Sequence, residues 1–268
     1  AARTRSALLA MRSTPKPGAG PVFHAPLGGM ESLAAATADA FSAAGGIFRL
    51  STAVGQVERD GAAWRIDGDP FDGVVIATPA SEAARLLSSV APGTAAGLHG
   101  IDYAGVVMVT MAVPAAQVAD LPIGTGYLVP KPAHASITAV SFASRKWAHL
   151  RPEGHEILRV SLGRHGDRAA LAWDDATIVD TATRELSAQC GTAISADEVR
   201  ITRWPAAFPQ YLPGHPGRIR ALFDGLGREA QTVQLAGAAY QGLGVPACIR
   251  SGRTAAGALR QALAARAQ

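Results

Sequence analysis

Residues 235–252, LAGAAYQGLGVPACIRSG, constrain the fold more strongly than any other stretch of this sequence. They begin inside an apolar run at 232–236, TVQLA, which predicts a buried strand. A loop with Gly242 and Gly244 follows, and Pro246 favours the first turn of a helix that runs almost to the C-terminus. Glycines allow close backbone approach, and a helix start presents free N–H groups and a positive dipole end. The stretch therefore predicts a site for an anionic or electron-rich group.

The hexapeptide GLGVPA at 242–247 also fits the dinucleotide pattern G-x-G-x-x-A, but we do not interpret it as one. That fingerprint needs a further strand with an acidic residue about 20 positions downstream. This sequence instead ends in ALRQALAARAQ. A glycine-rich loop that only caps a strand before a terminal helix is the alternative that the pattern alone leaves open.

The composition is that of a globular protein, since 48% of the 268 residues are hydrophobic and 17% are charged. The net charge of +4 comes with scattered arginines and no basic, aromatic-rich helix, which argues against nucleic acid as a partner. Cys190 and Cys248 lie far apart, with no CxxC pair and no histidine spacing suited to zinc. We therefore expect free thiols, a cytoplasmic location and no metal site. No apolar run reaches about 18 residues, so we expect no transmembrane helix, while peripheral membrane contact stays open.

Two groups of elements are predicted, with a boundary at the composition shift near residues 91–93. The first group begins with a helix from the GGM motif (28–30) to about Ala43. It continues with strands IFRL (47–50), VGQVER (54–59) and AAWRI (62–66), a buried strand at 73–79 and a helix at 81–87. Asp60-Gly61 is predicted to join the second and third of these strands as a hairpin. The second comprises strands at 104–113, 126–130, 137–143 and 156–163, a helix at 174–189, and a strand at 199–209 that Pro205 must end or leave at an edge. A helix from about His215 to Leu226 then leads back to the first group. The pattern predicts an α+β fold, with a mixed sheet that has helices against one face.

Four segments carry a resemblance to a known family: GAAYQGLGVPACIRSGRTAA (237–256), RWPAAFPQY (203–211), SFASRKW (141–147) and the GGM motif. Together they resemble the protoporphyrinogen/coproporphyrinogen oxidases of the flavin amine oxidase superfamily. The resemblance runs from about Pro21 to Ala265, and it departs from the family at Ala247, where many relatives carry Asp.

The resemblance implies oxidation of a porphyrinogen by FAD and molecular oxygen in haem biosynthesis. The cofactor-binding residues that it implies are Gly29, Val54, Trp204, Gly242, Leu243, Gly244 and Val245. It assigns no catalytic side chain, because the flavin itself accepts the hydrogens. Core packing is the alternative role for Trp204. Arg145, Lys146 and Arg203 are candidates to pair with substrate carboxylates, and the seven histidines are interpreted mainly as solvated loop residues.

The implied domains are the middle part of an FAD-binding domain at 1–94, a substrate-binding domain at 95–216, and a closing FAD segment at 217–268. The FAD-binding domain is expected to be an incomplete α/β domain of the glutathione-reductase type, because the family's N-terminal strand and glycine-rich turn have no counterpart here. We therefore interpret the chain as N-terminally truncated and expect it alone to bind FAD weakly or not at all. The N-terminal stretch AARTRSALLAMRSTPKPGAG is predicted to be the tail of a helix followed by a loop rather than a signal peptide.

Two alternatives of different classes remain at this point. One is another oxidoreductase of the flavin amine oxidase type. The other is a non-catalytic module that binds an acidic tetrapyrrole through the substrate sheet.

Overall fold

The structure is a computed structural model that describes residues 23–121, 123–133 and 135–267. It divides into two compact units, the first ending at Arg49 and the second beginning at Leu50, and each is considered by itself. The predicted helix tail and loop before Pro21 lie outside the described residues.

The first unit contains one helix, α1 (Met30–Ala43), among its described residues. Gly29 precedes it with φ +83°, a conformation that favours glycine. The predicted strand at 47–50 is wrong, because these residues form turns and irregular structure. Ile47 is 83% exposed, and residues 23–49 contain no strand with which it could pair.

The second unit contains every strand that the structure describes. The strands are β1 (Val57–Asp60), β2 (Ala63–Ile66), β3 (Asp69–Phe71), β4 (Val74–Ile76), β5 (Tyr103–Pro114), β6 (Gly126–Leu128), β7 (Ile137–Phe142), β8 (His155–Leu162), β9 (Glu198–Pro209) and β10 (Val233–Leu235). Its helices are α2 (Ala80–Leu87), α3 (Pro92–His99), α4 (Ala143–Lys146), α5 (Ala169–Ala172), α6 (Asp175–Cys190), α7 (His215–Glu229), α8 (Ala238–Gln241) and α9 (Val245–Arg266).

The predicted hairpin forms, with one short strand added to it. Strands β1, β2 and β3 make an antiparallel sheet, and Asp60 lies opposite Ala63, so the turn residues are Gly61 and Ala62. The sequence did not predict β3, because Pro70 interrupts its pattern; the edge position of this strand tolerates the missing N–H.

Strands β4 and β10 pair in parallel and lie in the first of two hydrophobic cores. Helix α9 packs closely over them. Gly73, directly before β4, lies so near Leu259 of α9 that a Cβ at residue 73 would be 2.4 Å from the leucine side chain. Helices α3 and α7 complete this core through Leu98, Leu222 and Leu226.

The second core is built on a five-stranded sheet in the order β6-β7-β8-β5-β9. All its described pairs are antiparallel, so the predicted mixed sheet is wrong. Strands β8 and β9 do run parallel to each other across a helical connection, but β5 lies between them. Strand β9 continues past Pro205 at the sheet edge, where the register with β5 shifts between Ala104 and Val106.

Helix α6 covers one face of this sheet, as the sequence predicted for its helix. Ile178, Ala182 and Leu186 pack in the same core as alternate residues of β5, such as Val107 and Val109. The intervening residues of β5, including Met108, Thr110 and Ala112, point to the opposite side and are only partly buried. We call this second side of the sheet the open face. It is formed by these residues of β5 and by the residues that lie opposite them on the neighbouring strands.

Glu229 connects the last turn of α7 to the start of α3. Its carboxylate accepts hydrogen bonds from the backbone N–H groups of Gly93 (3.2 Å) and Thr94 (3.1 Å) and from the Thr94 hydroxyl (2.9 Å). A carboxylate at a helix N-terminus is stabilised by both the free N–H groups and the dipole.

Replacing Glu229 with Gln should lower the free energy of unfolding by about 1–2 kcal/mol, because the charge-assisted acceptor is lost at the helix start. The measurement is urea-induced unfolding followed by circular dichroism. Glu82→Gln is the control, since Glu82 forms only an exposed pair with Arg85 and should change stability by less than about 0.5 kcal/mol. Equal effects of the two substitutions would contradict this role of Glu229.

Candidate functional site

The predicted glycine-rich loop lies at the carboxyl ends of the parallel strands β4 and β10. The Ala236 N–H donates to Ile76 O (3.0 Å) as the last rung of the pairing. Gly237 then turns the chain with φ +124°, and its N–H donates to Ser251 Oγ of α9 (3.1 Å). The carboxyl edge of a parallel sheet is the usual position of ligands in open α/β folds.

Gly242 is required by the fold itself. Its φ of +143° is one that residues with a side chain rarely adopt, and a Cβ would lie 2.6 Å from the Cβ of Ala247. The folding requirement therefore explains Gly242 without any ligand.

Gly244 is different, because the fold does not require a glycine there. Its φ of −76° and ψ of 153° are ordinary for any residue, and the nearest atom to a Cβ would be Pro246 Cδ at 3.8 Å. A backbone without a side chain at an unobstructed position is what close approach of a bound group needs.

Helix α9 begins immediately after Gly244 and has no side-chain cap among the described residues. Pro246 occupies its second position, one residue later than the sequence suggested. Leu243 and Val245 are both about half exposed on either side of Gly244. The helix start thus combines an uncapped positive dipole end with apolar side chains, which suits a flat ring with electron-rich edge atoms.

Tyr211 and His215 hold this loop in position. The Tyr211 hydroxyl donates to Ala238 O and accepts the Gly242 N–H, both at 2.6 Å. Partial burial raises the pKa of Tyr211 above its ordinary value, so the donating proton is retained at neutral pH. The ring stacks on His215 at 3.9 Å, and His215 Nε2 donates to Tyr240 O at 3.0 Å.

The sequence did not identify this pair as structural. His215 is 3% exposed, so its interpretation as a solvated loop histidine is wrong. The available signal was the position of His215 four residues after Tyr211, which brings the two rings together as the chain turns into α7.

Trp204 lies on β9, the strand that leads to Tyr211, and is 46% exposed on the open face opposite Val106. Its alternative role as a packed core residue is therefore wrong. Phe208, also on this strand, is about half exposed. The two rings leave a wide aromatic surface available to a ligand.

Val54 lies in an extended segment before β1 rather than in a strand. Its carbonyl accepts a hydrogen bond from Arg85 Nη2 (2.8 Å), while Asp67 accepts the N–H groups of Gly55 and Gln56. The segment is thus fixed from both sides. Gly29 belongs to the first unit, at the start of α1, where Ser32 Oγ donates to its carbonyl at 2.7 Å.

The cations selected from the sequence have structural partners. Arg203 points to the helix-covered side, where it pairs with Asp175 (2.6 Å) and donates to Trp173 O (2.9 Å). Arg145 donates to Val118 O at 2.7 Å, and Lys146 lies 5.6 Å from the centre of the Trp147 ring. Arg203 is therefore excluded as a substrate cation, and Arg145 contributes to packing of its own loop.

Other site types find no support in the residues that the structure describes. Within 23–121, 123–133 and 135–267, no group of three or more His, Cys, Asp or Glu side chains could hold a metal ion. Both cysteines are free and partly buried. Over the same ranges, no helix is both long enough and apolar enough to cross a bilayer.

Replacing Tyr211 with Phe should loosen the 237–245 loop, because the Gly242 N–H and the Ala238 carbonyl both lose their partner. We expect amide exchange in the loop to increase and the unfolding free energy to fall by about 1–2 kcal/mol. Tyr127→Phe is the matched control, since it removes a hydroxyl bonded to Gln189 at the five-stranded sheet. Increased loop exchange in both variants would show that the effect is not specific to Tyr211.

Comparison with known proteins gives a consistent result at three levels. The family model described as flavin containing amine oxidoreductase matches residues 4–260. The chain is 33% identical over 262 residues to the coproporphyrinogen III oxidase of Mycobacterium tuberculosis strain H37Rv, covering 95% of this chain and 54% of that protein. It is 29% identical over 184 residues to the coproporphyrinogen III oxidase of Bacillus subtilis strain 168, covering 69% of this chain and 39% of that protein.

Among solved structures, a protein from Exiguobacterium sp. 255-15, described as a candidate protoporphyrinogen oxidase, superposes with a TM-score of 0.78 at 28% identity. The match covers 91% of this chain and 53% of that one. The chain thus spans about half the length of these two relatives, from Mycobacterium tuberculosis and Exiguobacterium. The family match extends over nearly the whole sequence, and the chain belongs to the flavin containing amine oxidoreductases, among which its curated relatives are named as porphyrinogen oxidases.

Proposed function

We propose that this chain is part of an FAD- and oxygen-dependent oxidase that converts a porphyrinogen, protoporphyrinogen IX or coproporphyrinogen III, to the porphyrin in haem biosynthesis. The observation that carries the proposal is Gly244, a glycine that the fold does not need, at an uncapped helix start on the carboxyl edge of a parallel sheet. The relatives' names supply the substrate class. The expected cytoplasmic location belongs to the same proposal and rests on the two free thiols.

The residues of the loop fit a flavin. Gly242, Leu243, Gly244 and Val245 would hold it, with the start of α9 stabilising negative charge on the ring. Trp204 would contact the ring or the macrocycle from the open face. Gly29 and Val54 remain the predicted contacts to the rest of FAD.

Bound FAD would supply the redox chemistry: removal of six hydrogens from the porphyrinogen in three two-electron steps, with molecular oxygen as the final acceptor of the electrons. The chain's own contribution is to position the flavin and the substrate and to exclude water from them. Tyr211 fixes the loop by two backbone hydrogen bonds, and Trp204 with Phe208 supplies apolar surface beside it. No nucleophile or general base is needed for this role.

The two hydrophobic cores support the proposed division into domains. One core joins residues from 57–98 with residues from 219–240, as expected for an FAD-binding domain built from residues 1–94 and 217–268. The other lies within 107–194, inside the proposed substrate domain at 95–216. Helix α3 packs in the first of these cores through Leu98.

The first test is the flavin content of the protein expressed from its complete reading frame, measured by visible absorbance. We expect a yellow protein that converts porphyrinogen to fluorescent porphyrin with uptake of oxygen. A colourless protein in the presence of excess FAD would overturn the proposal. Binding of a porphyrin without oxidation would instead favour the non-catalytic tetrapyrrole-binding module.

Replacing Gly244 with Val should lower FAD affinity at least tenfold, because the side chain occupies the space through which the ring approaches. The chain should still fold, since the backbone at this position suits any residue. Gly217→Val is the control: Gly217 is an exposed glycine in α7 with no atom within 4 Å of its Cβ position. FAD binding by Gly244→Val at the level of the control would remove the main support for the proposal.

A further inference from the structure

We infer that Arg159 and Arg200, on the open face of the five-stranded sheet, bind two carboxylates of the tetrapyrrole substrate. The inference rests on the proposed function for the class of substrate. The arginines themselves are identified by the geometry of the sheet.

The cross-strand register places both arginines in one row. Thr110 of β5 lies opposite Arg159 of β8 on one side and opposite Arg200 of β9 on the other. Ser141 of β7 extends the row beyond Arg159. Residues that are directly opposite in an antiparallel pair point to the same side of the sheet, so the two guanidinium groups share the open face. With strands about 4.8 Å apart, their Cα atoms are separated by about 10 Å.

The surroundings of the row are small or apolar. Ser161 Oγ lies 3.7 Å from Met108 Sδ in the neighbouring row, which confirms that both side chains share this side of the sheet. Trp204 follows on the same face of β9, towards Tyr211 and the glycine-rich loop. A surface of small side chains, bounded by an exposed indole, suits the apolar face of a tetrapyrrole.

The charges of the two arginines are not balanced within the fold. Both side chains are exposed, and the structure gives neither guanidinium a hydrogen-bond or ion-pair partner among the described residues. Arg203, only three positions from Arg200 but on the covered side, has Asp175 at 2.6 Å. Arg159 and Arg200 thus gain no stabilising contact within the described part of the fold, which leaves both guanidinium groups available to a ligand.

The other charged groups near the row do not neutralise it. Glu198 lies on the same face, opposite Ala112 and two residues from Arg200, but the described residues show no ion pair between the two side chains. His155 and Asp197, beyond that end, pair with each other at 2.9 Å. The substrate that fits this face therefore carries at least two carboxylates on a largely apolar body.

The test is the binding of coproporphyrin III to the protein expressed from its complete reading frame, followed by fluorescence titration. Arg159→Gln and Arg200→Gln should each raise the Kd about tenfold, and the double variant about a hundredfold, as expected for the loss of charge-assisted hydrogen bonds. The tetramethyl ester of the same porphyrin should bind all variants equally, because it has no carboxylate. Added salt should weaken binding to the wild type more than to the double variant.

Arg184→Gln is the matched control, because Arg184 is an exposed arginine on α6 on the other side of the sheet. It removes the same charge and should leave the Kd within about twofold. Thermal unfolding of each variant should match the wild type, since neither arginine holds another group in place.

Unchanged affinity in the double variant would overturn this inference and leave the proposed oxidase function intact. Loss of affinity for the ester as well would also overturn it, since the effect could not then come from carboxylate binding. Arginine-dependent binding in a protein that oxidises no porphyrinogen would uphold the inference and remove the proposed function instead.

Discussion

The parallel pairing of β10 with β4 is the interaction on which the rest of the second unit depends. It joins residues 74–76 to residues 233–235, which are far apart in the sequence, and it buries both strands in one core. Because parallel strands end at the same edge, the pairing also fixes where Gly237 and the following loop begin. Helix α9 is then aligned by the contact of Leu259 with Gly73. The site is thus positioned by long-range pairing, and the loop sequence only completes it.

Within the loop, the glycines have different physical roles. Gly237 and Gly242 adopt φ values that other residues rarely adopt, so they are explained by the turn alone. Gly244 has an ordinary conformation and free space, so the turn does not explain it, and the proposed flavin contact would use the missing side chain. Tyr211 bonds the backbone on both sides of α8 from the end of β9. This contact couples the geometry of the five-stranded sheet to that of the loop, so a ligand between them meets two surfaces in a fixed relation.

The sequence was most informative where one element decides its own structure. Local pattern predicted the apolar run of β5 and the helix that begins after Asp174. The Asp174 carboxylate caps this helix by accepting the Thr177 N–H at 2.7 Å. Alternation shows which residues share a face but not which strand lies alongside, so the pattern wrongly suggested a mixed sheet and a strand at 47–50. At the site, the glycines were visible in the sequence, whereas the contacts of Tyr211 and His215 depend on how the chain folds back on itself.

The same limit explains why the sequence could not show which arginine has a partner within the fold. Arg200 and Arg203 are close in the sequence and equally basic, and the segment RWPAAFPQY drew attention to the second. A strand sends residues three positions apart to opposite sides, so one arginine meets α6 and the other meets the open face. The informative property is therefore neither charge nor motif but whether the fold supplies a counter-charge. Arg203 pairs with Asp175 on the covered side, whereas Arg200 has no such partner among the described residues, and the proposed carboxylate site rests on this contrast.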